Sequence, residues 1–375
     1  MVAAHATPGK RRDRTLTAVT RTARAPLPVR WNPLRAAPKV LFALPAVVLA
    51  LAVACALAAP PAAADGAGPT NFESVVDDVA PDRPDLTVDV VGGDAFLRVR
   101  ARPGTEVRIP GYDGEPYLRI EADGTVLRNA RSSATYLNRR RDGTAADLPA
   151  GVGSRAEPRW ERIGDGGEVA WHDHRIHWMV SQPPEVGKDR VVQSWSVPMV
   201  VDGSEVEVSG HLLLHDDALP WAALVTLAAL AVSLVLAGRV AWRVPLLAGA
   251  SAVALYLGIA SHVVNPPDAG ASVLPIALPL VALAASLGSL VAPASLRLLV
   301  LPLASVAALA GWGAARLGVL WMPVVPTSAP SWADRAGTGL VLGVAVGVAV
   351  AVLVRPVPDP EPGSDGGTVA SAVDG

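Results

Sequence analysis

The sequence predicts an all-β extracytoplasmic domain, either an antiparallel sandwich or a barrel, followed by an α-helical transmembrane bundle. Three observations support this fold class. Short alternating stretches with frequent glycine and aspartate turns occupy residues 85–218, long apolar stretches occupy residues 219–355, and an apolar segment with a basic flank precedes both. Alternation with a period of two is typical of half-buried strands, whereas apolar runs of about 20 residues can cross a bilayer.

The N-terminal part has the pattern of an export signal. Residues 1–39 are polar and strongly basic, residues 40–64 are apolar and end in small residues, and residues 65–84 are predicted to be a tether. A basic flank, an apolar centre and a small-residue boundary indicate a signal peptide or an uncleaved signal anchor. Either form places the following residues on the outer side of the membrane.

Residues 85–218 are predicted to form the β domain. Leu97 and Val99 alternate with arginines, as expected for a half-buried strand. Two hairpins are predicted, one at residues 122–124 and one at residues 202–203, since Asp-Gly pairs between alternating stretches are typical of tight turns. The charged segment 139–157, rich in glycine and proline, is predicted to be a mobile loop.

Residues 219–355 are predicted to form a five-helix membrane domain. The predicted spans are residues 219–238, 245–263, 273–293, 298–320 and 338–354. Arginines at positions 239, 243, 297 and 355 follow or separate these spans. The positive-inside rule therefore places their connections in the cytoplasm, together with the tail at residues 356–375, which is predicted to be disordered. The connections at 265–271 and 326–338 are then outside.

The spans themselves contain few polar groups. Gly339, Gly343 and Gly347 recur every four residues, which predicts close packing against a neighbouring helix. Arg316 lies near the outer end of its span and is expected to extend to the membrane surface. No predicted span carries a central aspartate or glutamate, and this weighs against a proton-coupled transporter.

Composition excludes other functional classes. Hydrophobic residues make up 51% of the 375 residues, and the mean hydropathy is +0.36. The formal net charge of −2 argues against a nucleic-acid partner, because such binding depends on clustered basic charge. The single cysteine, Cys55, excludes a disulfide or a thiolate zinc site within one chain. The chain is not expected to be an enzyme, since it has no hydrolase, zinc-protease or phosphate-loop signature.

The segment from Trp171 to Met179 has the densest set of potential metal ligands: His172, His174, His177 and Met179. In an extended segment, His172 and His174 share one face at a separation of about 6.6–6.8 Å. Two imidazoles so placed can bind one metal ion at about 2.0–2.1 Å each. Because imidazole and thioether are present without a cysteine, copper is favoured over zinc. The first hypothesis is therefore a polytopic envelope protein whose outer β domain binds a metal ion.

The same residues permit a second interpretation. Trp171, Ile176 and Trp178 are typical core residues, so the imidazoles between them can be buried and hydrogen-bonded to the backbone or to Asp173. The domain is then a non-enzymatic envelope scaffold with structural histidines. Its partners would be the lipid bilayer and another envelope protein.

The β domain contains three distinctive motifs: Gly-Tyr-Asp-Gly-Glu-Pro-Tyr-Leu-Arg at 111–119, Ser-Ala-Thr-Tyr-Leu-Asn at 133–138 and Trp-His-Asp-His-Arg-Ile-His-Trp-Met at 171–179. In these motifs and their order the chain resembles a family of uncharacterised secreted or membrane-anchored proteins from actinobacteria. The resemblance implies an envelope location and an actinobacterial source, and it implies no reaction. The pattern from Val201 to Gly210 is also similar to the last strands of β-barrels of the copper-resistance C type.

Overall fold

The computed structural model describes residues 66–139, 148–180, 184–186, 188–266, 272–294 and 296–354. The predicted export segment at residues 1–64 and the predicted tail at residues 356–375 lie outside the described residues. The same holds for residues 140–147 of the predicted loop, and residues 148–157 contain neither a helix nor a strand.

The N-terminal half is an antiparallel β domain. Its strands are β1 (Phe72–Ala80), β2 (Leu86–Val91), β3 (Phe96–Ala101), β4 (Val107–Pro110), β5 (Pro116–Ile120), β6 (Val126–Asn129), β7 (Trp160–Gly164), β8 (Glu168–Trp171), β9 (Val191–Val201) and β10 (Ser204–Leu214). A single helical turn, α1 (Ala134–Leu137), follows β6. Both predicted hairpins are confirmed, because β5 pairs with β6 and β9 pairs with β10.

The strands form two sheets, one in the order β1-β10-β9-β4-β5-β6-β7 and one in the order β2-β3-β8. Neither sheet closes on itself, so the barrel alternative is wrong. Residues from both sheets share one core, including Leu97 of β3, Ile109 of β4 and Val197 of β9. The arrangement is that of a sandwich, in which the inward faces of two sheets exclude water from a common interior.

The predicted tether at residues 65–84 contains a strand, which corrects the prediction for Phe72–Ala80. This strand, β1, pairs along its length with β10 and forms one edge of the larger sheet. Val76 and Val79 pack against the core. The acidic pair Asp77 and Asp78 interrupts the alternation and hides it in the sequence. Charges are common on edge strands, where they oppose pairing with other chains.

The C-terminal half is helical. It contains α2 (Trp221–Leu236), α3 (Arg243–His262), α4 (Leu274–Gly288), α5 (Leu301–Ala315) and α6 (Ser331–Val354). Within the described residues, three helical segments are long and apolar enough to cross a membrane, namely Val240–His262, Leu296–Ala315 and Ser331–Val354. Helices α2 and α4 are apolar and shorter.

The predicted close packing of the glycine repeat is confirmed, and the partner is α2. A Cβ atom added at Gly343 would lie 2.4 Å from the carbonyl oxygen of Thr226. One added at Gly347 would lie 1.9 Å from Ser233 Oγ. Only a residue without a side chain lets the two backbones approach this closely.

Helix α6 begins before the predicted span and brings a buried charge with it. Asp334 is fully buried and accepts hydrogen bonds from Nη2 of Arg316 at 2.6 and 2.8 Å. The other terminal nitrogen of Arg316 donates to Ser261 Oγ at 2.8 Å. Arg316 therefore pairs within the bundle.

The β domain sits on one end of the helices. Thr70 forms an antiparallel bridge with Val324, in the connection between α5 and α6. The backbone N–H of Ala67 donates to Asn265 Oδ1 at 2.8 Å, after the end of α3. Asn265 begins one connection that the charge pattern places outside, and Val324 precedes the other by two residues; both thus lie on the side of the β domain.

Candidate functional site

The histidine segment is not extended, which corrects the geometry expected from the sequence. Strand β8 ends at Trp171, and a single 3₁₀ turn spans His174–Ile176. Asp173 starts this turn, because its side chain accepts a hydrogen bond from the backbone N–H of Arg175 at 3.0 Å. Aspartate is favoured at such a position, since its carboxylate satisfies a backbone donor that the turn leaves unpaired. The turn therefore changes which side chains of the segment lie next to each other.

The turn brings His172 and His177 together. Their ring centroids lie 6.0 Å apart, and each residue is only 2% exposed. Nδ1 of His172 is 2.6 Å from the carbonyl oxygen of Ala95, and a carbonyl can only accept, so this nitrogen carries the proton. Nδ1 of His177 is 3.2 Å from Oδ2 of Asp94. In His177 the other ring nitrogen, Nε2, is buried and has no hydrogen-bond partner.

The other two predicted ligands lie elsewhere. The ring of His174 stacks on Tyr112, with 5.7 Å between the ring centroids. The backbone N–H of His174 also donates to Tyr112 Oη at 2.9 Å. Met179 is half-buried and follows the turn. The four candidate residues therefore divide into a histidine pair, a histidine committed to an aromatic contact, and a methionine close in sequence to His177.

Asp173 holds the turn in place. It is fully buried and accepts hydrogen bonds from Trp171 Nε1 at 2.9 Å, and from Arg175 Nε and Nη2 at 2.8 and 2.6 Å. Burial alone would raise the pKa of Asp173, but the hydrogen bonds and positive charge of Arg175 outweigh it and hold the pKa below its usual value. The carboxylate is therefore charged, and the segment depends on its pairing with Arg175.

Tyr112 joins the three motifs that the sequence singled out. Its hydroxyl donates a short hydrogen bond to Asn138 Oδ1 and accepts from the backbone of His174. The guanidinium carbon of Arg175 lies 5.2 Å from the centre of its ring. Burial raises the pKa of Tyr112 well above its usual range, and the charge of Asp173 adds to this. The phenol thus remains protonated and acts as both donor and acceptor.

Glu115, which belongs to the motif at 111–119, is a buried carboxylate. It accepts hydrogen bonds from Ser132 Oγ at 2.7 Å and Ser133 Oγ at 3.0 Å, and from the backbone N–H of Asp113 at 3.1 Å. Burial would raise the pKa of Glu115, but these hydrogen bonds outweigh it and keep the pKa below its usual value. Glu115 therefore ties the turn after β4 to the residues before α1.

Sequence reasoning also missed the residues that surround the histidine pair. Asp94 and Ala95 come from the connection between β2 and β3, about 80 positions away in the chain. Gln193 of β9 donates from Nε2 to the carbonyl oxygens of Arg175 and His177, at 3.0 and 2.9 Å. Only the pairing of β3 with β8 and the stacking of the sheets brings these residues to the segment. No short-range pattern could have indicated them.

Across the described part of the chain, no group of three or more His, Cys, Asp or Glu side chains is placed to hold a metal ion. Both imidazoles nevertheless have an acceptor at Nδ1. Such histidines ordinarily donate their second ring N–H to a backbone carbonyl or a carboxylate, which fixes the tautomer and the orientation of the ring. His172 has the first kind of partner and His177 has the second.

Comparisons with protein-family models, with curated proteins and with solved structures gave no match to this chain.

Proposed function

We propose that this chain is a membrane protein of the cell envelope whose outer β domain binds one copper ion through His172 and His177. The observation that carries the proposal is the orientation of the two rings. Each has its Nδ1 hydrogen-bonded to an acceptor, Ala95 or Asp94, and this bond fixes the orientation of the ring, as it does in metal-binding histidines. Nε2 of His177 is buried without a hydrogen-bond partner, which is costly unless a ligand occupies that direction.

The spacing of the rings agrees with a shared ion. A metal bonded to a ring nitrogen at about 2.0–2.1 Å lies about 3 Å from the ring centroid. Two rings that share one ion are therefore about 5–6 Å apart by this geometry, and His172 and His177 are separated by 6.0 Å. A bare ion needs no cavity of the size of a water molecule, so the burial of both rings is compatible with binding.

Ligand chemistry favours copper. A site with two imidazoles, no cysteine and a nearby thioether suits copper better than zinc, which in structural sites takes four nitrogen or sulfur ligands. Met179 follows His177 by two residues and is half-buried. We propose Met179 as an additional soft ligand, and we assign His174 to the contact with Tyr112.

The envelope location rests on the helices and on the charge pattern. In the part of the chain that the structure describes, three apolar helices are long enough to cross a membrane. The β domain contacts the connections after α3 and after α5, and the positive-inside rule places these connections outside. We therefore propose that the β domain is extracytoplasmic, where copper is encountered without competition from the reducing thiols of the cytosol.

The test is a copper titration of the full chain in detergent micelles. Cu(I) would be titrated under a reductant against a chromophoric chelator, with Zn(II) as the comparison metal. We expect one equivalent of Cu(I) to bind, and both His172→Ala and His177→Ala to abolish this binding. His174→Ala is the matched control from the same segment, and it should retain one equivalent. Equal binding by the wild-type chain and the His177→Ala variant would refute the proposal.

A second function has its own support. The turn is held by Asp173, Arg175 and Tyr112, and these contacts need no metal. The domain would then be an envelope scaffold with structural histidines that contacts another envelope protein. In that case His172→Ala would lower the melting temperature of the β domain by the same amount with and without Cu(I). A loss of stability seen only in the copper-loaded sample supports the metal site instead.

A further inference from the structure

The connection between β2 and β3, residues 92–95, touches the histidine pair on one side. It supplies both acceptors that orient the rings, the carbonyl oxygen of Ala95 for His172 and the carboxylate of Asp94 for His177. Phe96, the first residue of β3, packs on the ring of His172 with 4.2 Å between the centroids. A shift of this connection therefore moves both acceptors together.

The same connection touches the helical region on its other side. A Cβ atom added at Gly93 would lie 2.8 Å from Val324 Cγ1 and 3.1 Å from Thr70 Cγ2. Thr70 and Val324 exchange two backbone hydrogen bonds, at 3.0 and 3.1 Å. The carbonyl oxygen of Gly93 also accepts from the backbone N–H of Ser74 at 3.1 Å. Gly93 is thus enclosed by the bridge between the β domain and the connection from α5 to α6.

We infer that the connection from α5 to α6 sets the metal affinity of His172 and His177 through residues 92–95. The inference rests on the proposed function, and it adds that the helices regulate the site. Close-packed contacts transmit displacement, because the interior has little free space to absorb it. Metal ligands are sensitive to their outer partners, whose loss commonly weakens binding by about 10–100-fold.

The coupling must act in both directions. If the position of Val324 changes the affinity for the ion, then ion binding must stabilise the contact at Val324 by the same factor. A helix movement that displaces the connection from α5 to α6 would weaken the site. Loading of the site would in turn oppose that movement.

The first arm of the test compares Cu(I) affinity in full-length variants with matched controls. Val324→Ala removes the side chain that contacts Gly93, and Val325→Ala removes the same atoms from the next residue. Gly93→Ala introduces a Cβ atom into the contact, at a residue whose φ is +82°. Its control, Gly104→Ala, introduces a Cβ atom at a φ of +96°, where no other atom lies within 4 Å. We expect Val324→Ala and Gly93→Ala to weaken binding about tenfold, and both controls to bind like the wild type.

The second arm measures hydrogen exchange of the full chain with and without Cu(I). The amide hydrogens of Thr70 and Val324 form the bridge, and they should exchange several-fold more slowly in the loaded protein. The turn between β9 and β10, at residues 202–203, serves as the internal reference and should not change.

The outcomes separate the two ideas. Absence of Cu(I) binding by the wild-type chain overturns both the proposed function and the coupling. Wild-type binding with equal affinities for Val324→Ala and Val325→Ala, and for Gly93→Ala and Gly104→Ala, overturns the coupling alone. Slowed exchange at Thr70 and Val324 together with weaker binding by Val324→Ala supports it.

Discussion

Substitution of Asp173 by asparagine tests the contact that shapes the histidine segment. Asparagine has nearly the same shape, but it replaces one acceptor oxygen by a donor NH₂ group and removes the charge. In the folded chain the carboxylate accepts from Trp171 Nε1 and from three nitrogens of Arg175. In the Asp173→Asn variant, the amide NH₂ group would therefore point at another donor, either Trp171 Nε1 or a nitrogen of Arg175. Arg175 would also lose its counter-charge.

The size of the effect follows from burial. Removing one member of a buried ion pair costs about 3–5 kcal/mol, because the remaining charge stays desolvated. Asp173 is fully buried, but the side chain of Arg175 is 22% exposed, so water compensates part of its lost partner. We expect Asp173→Asn to lower the free energy of unfolding of the β domain by about 3 kcal/mol. For a domain of this size, this corresponds to a melting temperature lower by about 6–12 °C.

The measurement is thermal and denaturant unfolding of the full chain in micelles. Hydrogen exchange of the amides within the β domain monitors the unfolding of that domain. A double-mutant cycle with Arg175→Met isolates the pair, since removal of both charges leaves no uncompensated ion. The double variant should cost less than the sum of the two single variants by at least about 1 kcal/mol. A loss below about 1 kcal/mol for Asp173→Asn, or strict additivity in the cycle, would show that the pair does not hold the turn.

Two further predictions concern the β domain. Gly210→Ala should destabilise it by about 1–3 kcal/mol, because the new Cβ would lie 2.1 Å from the carbonyl oxygen of Val75 and 2.3 Å from the ring of Trp195; an unchanged unfolding midpoint would contradict this. The pKa of Glu115 is lowered by folding despite its burial, so its contribution to stability is complete above its unfolded pKa, about 4.3, and is lost as the pH falls through the folded value. The free energy of unfolding should therefore fall more steeply below about pH 4 in the wild type than in Glu115→Gln, and parallel pH profiles would exclude this role of Glu115.

Local patterns in the sequence were sufficient for the coarse architecture. The alternation around Leu97 and Val99 predicted β3, and the Asp-Gly pair at 202–203 predicted the longest hairpin. The four-residue glycine repeat predicted the close approach of α6 to a neighbouring helix. These features depend on the period of two in strands, on turn geometry and on the helical period, so each is encoded within a few residues.

Sequence patterns were insufficient where charged residues interrupt the alternation of a strand, or where a helix begins before its apolar part. The sequence predicts a tether where β1 lies, because Asp77 and Asp78 interrupt the alternation of this strand. Helix α6 begins at Ser331, and the ion pair between Asp334 and Arg316 requires two helices to meet. Hydropathy alone selects only the apolar part of a helix, so a charged first turn is excluded from the predicted span.

The candidate site shows the same division. Sequence alone shows that His172, His174, His177 and Met179 lie close together along the chain, in a β domain that precedes apolar helices. That His172 meets His177 while His174 contacts Tyr112 follows only from the folded chain. The 3₁₀ turn at His174–Ile176 is fixed by Asp173 and Arg175. The two rings are oriented by Asp94 and Ala95, from a strand connection that sheet pairing brings alongside.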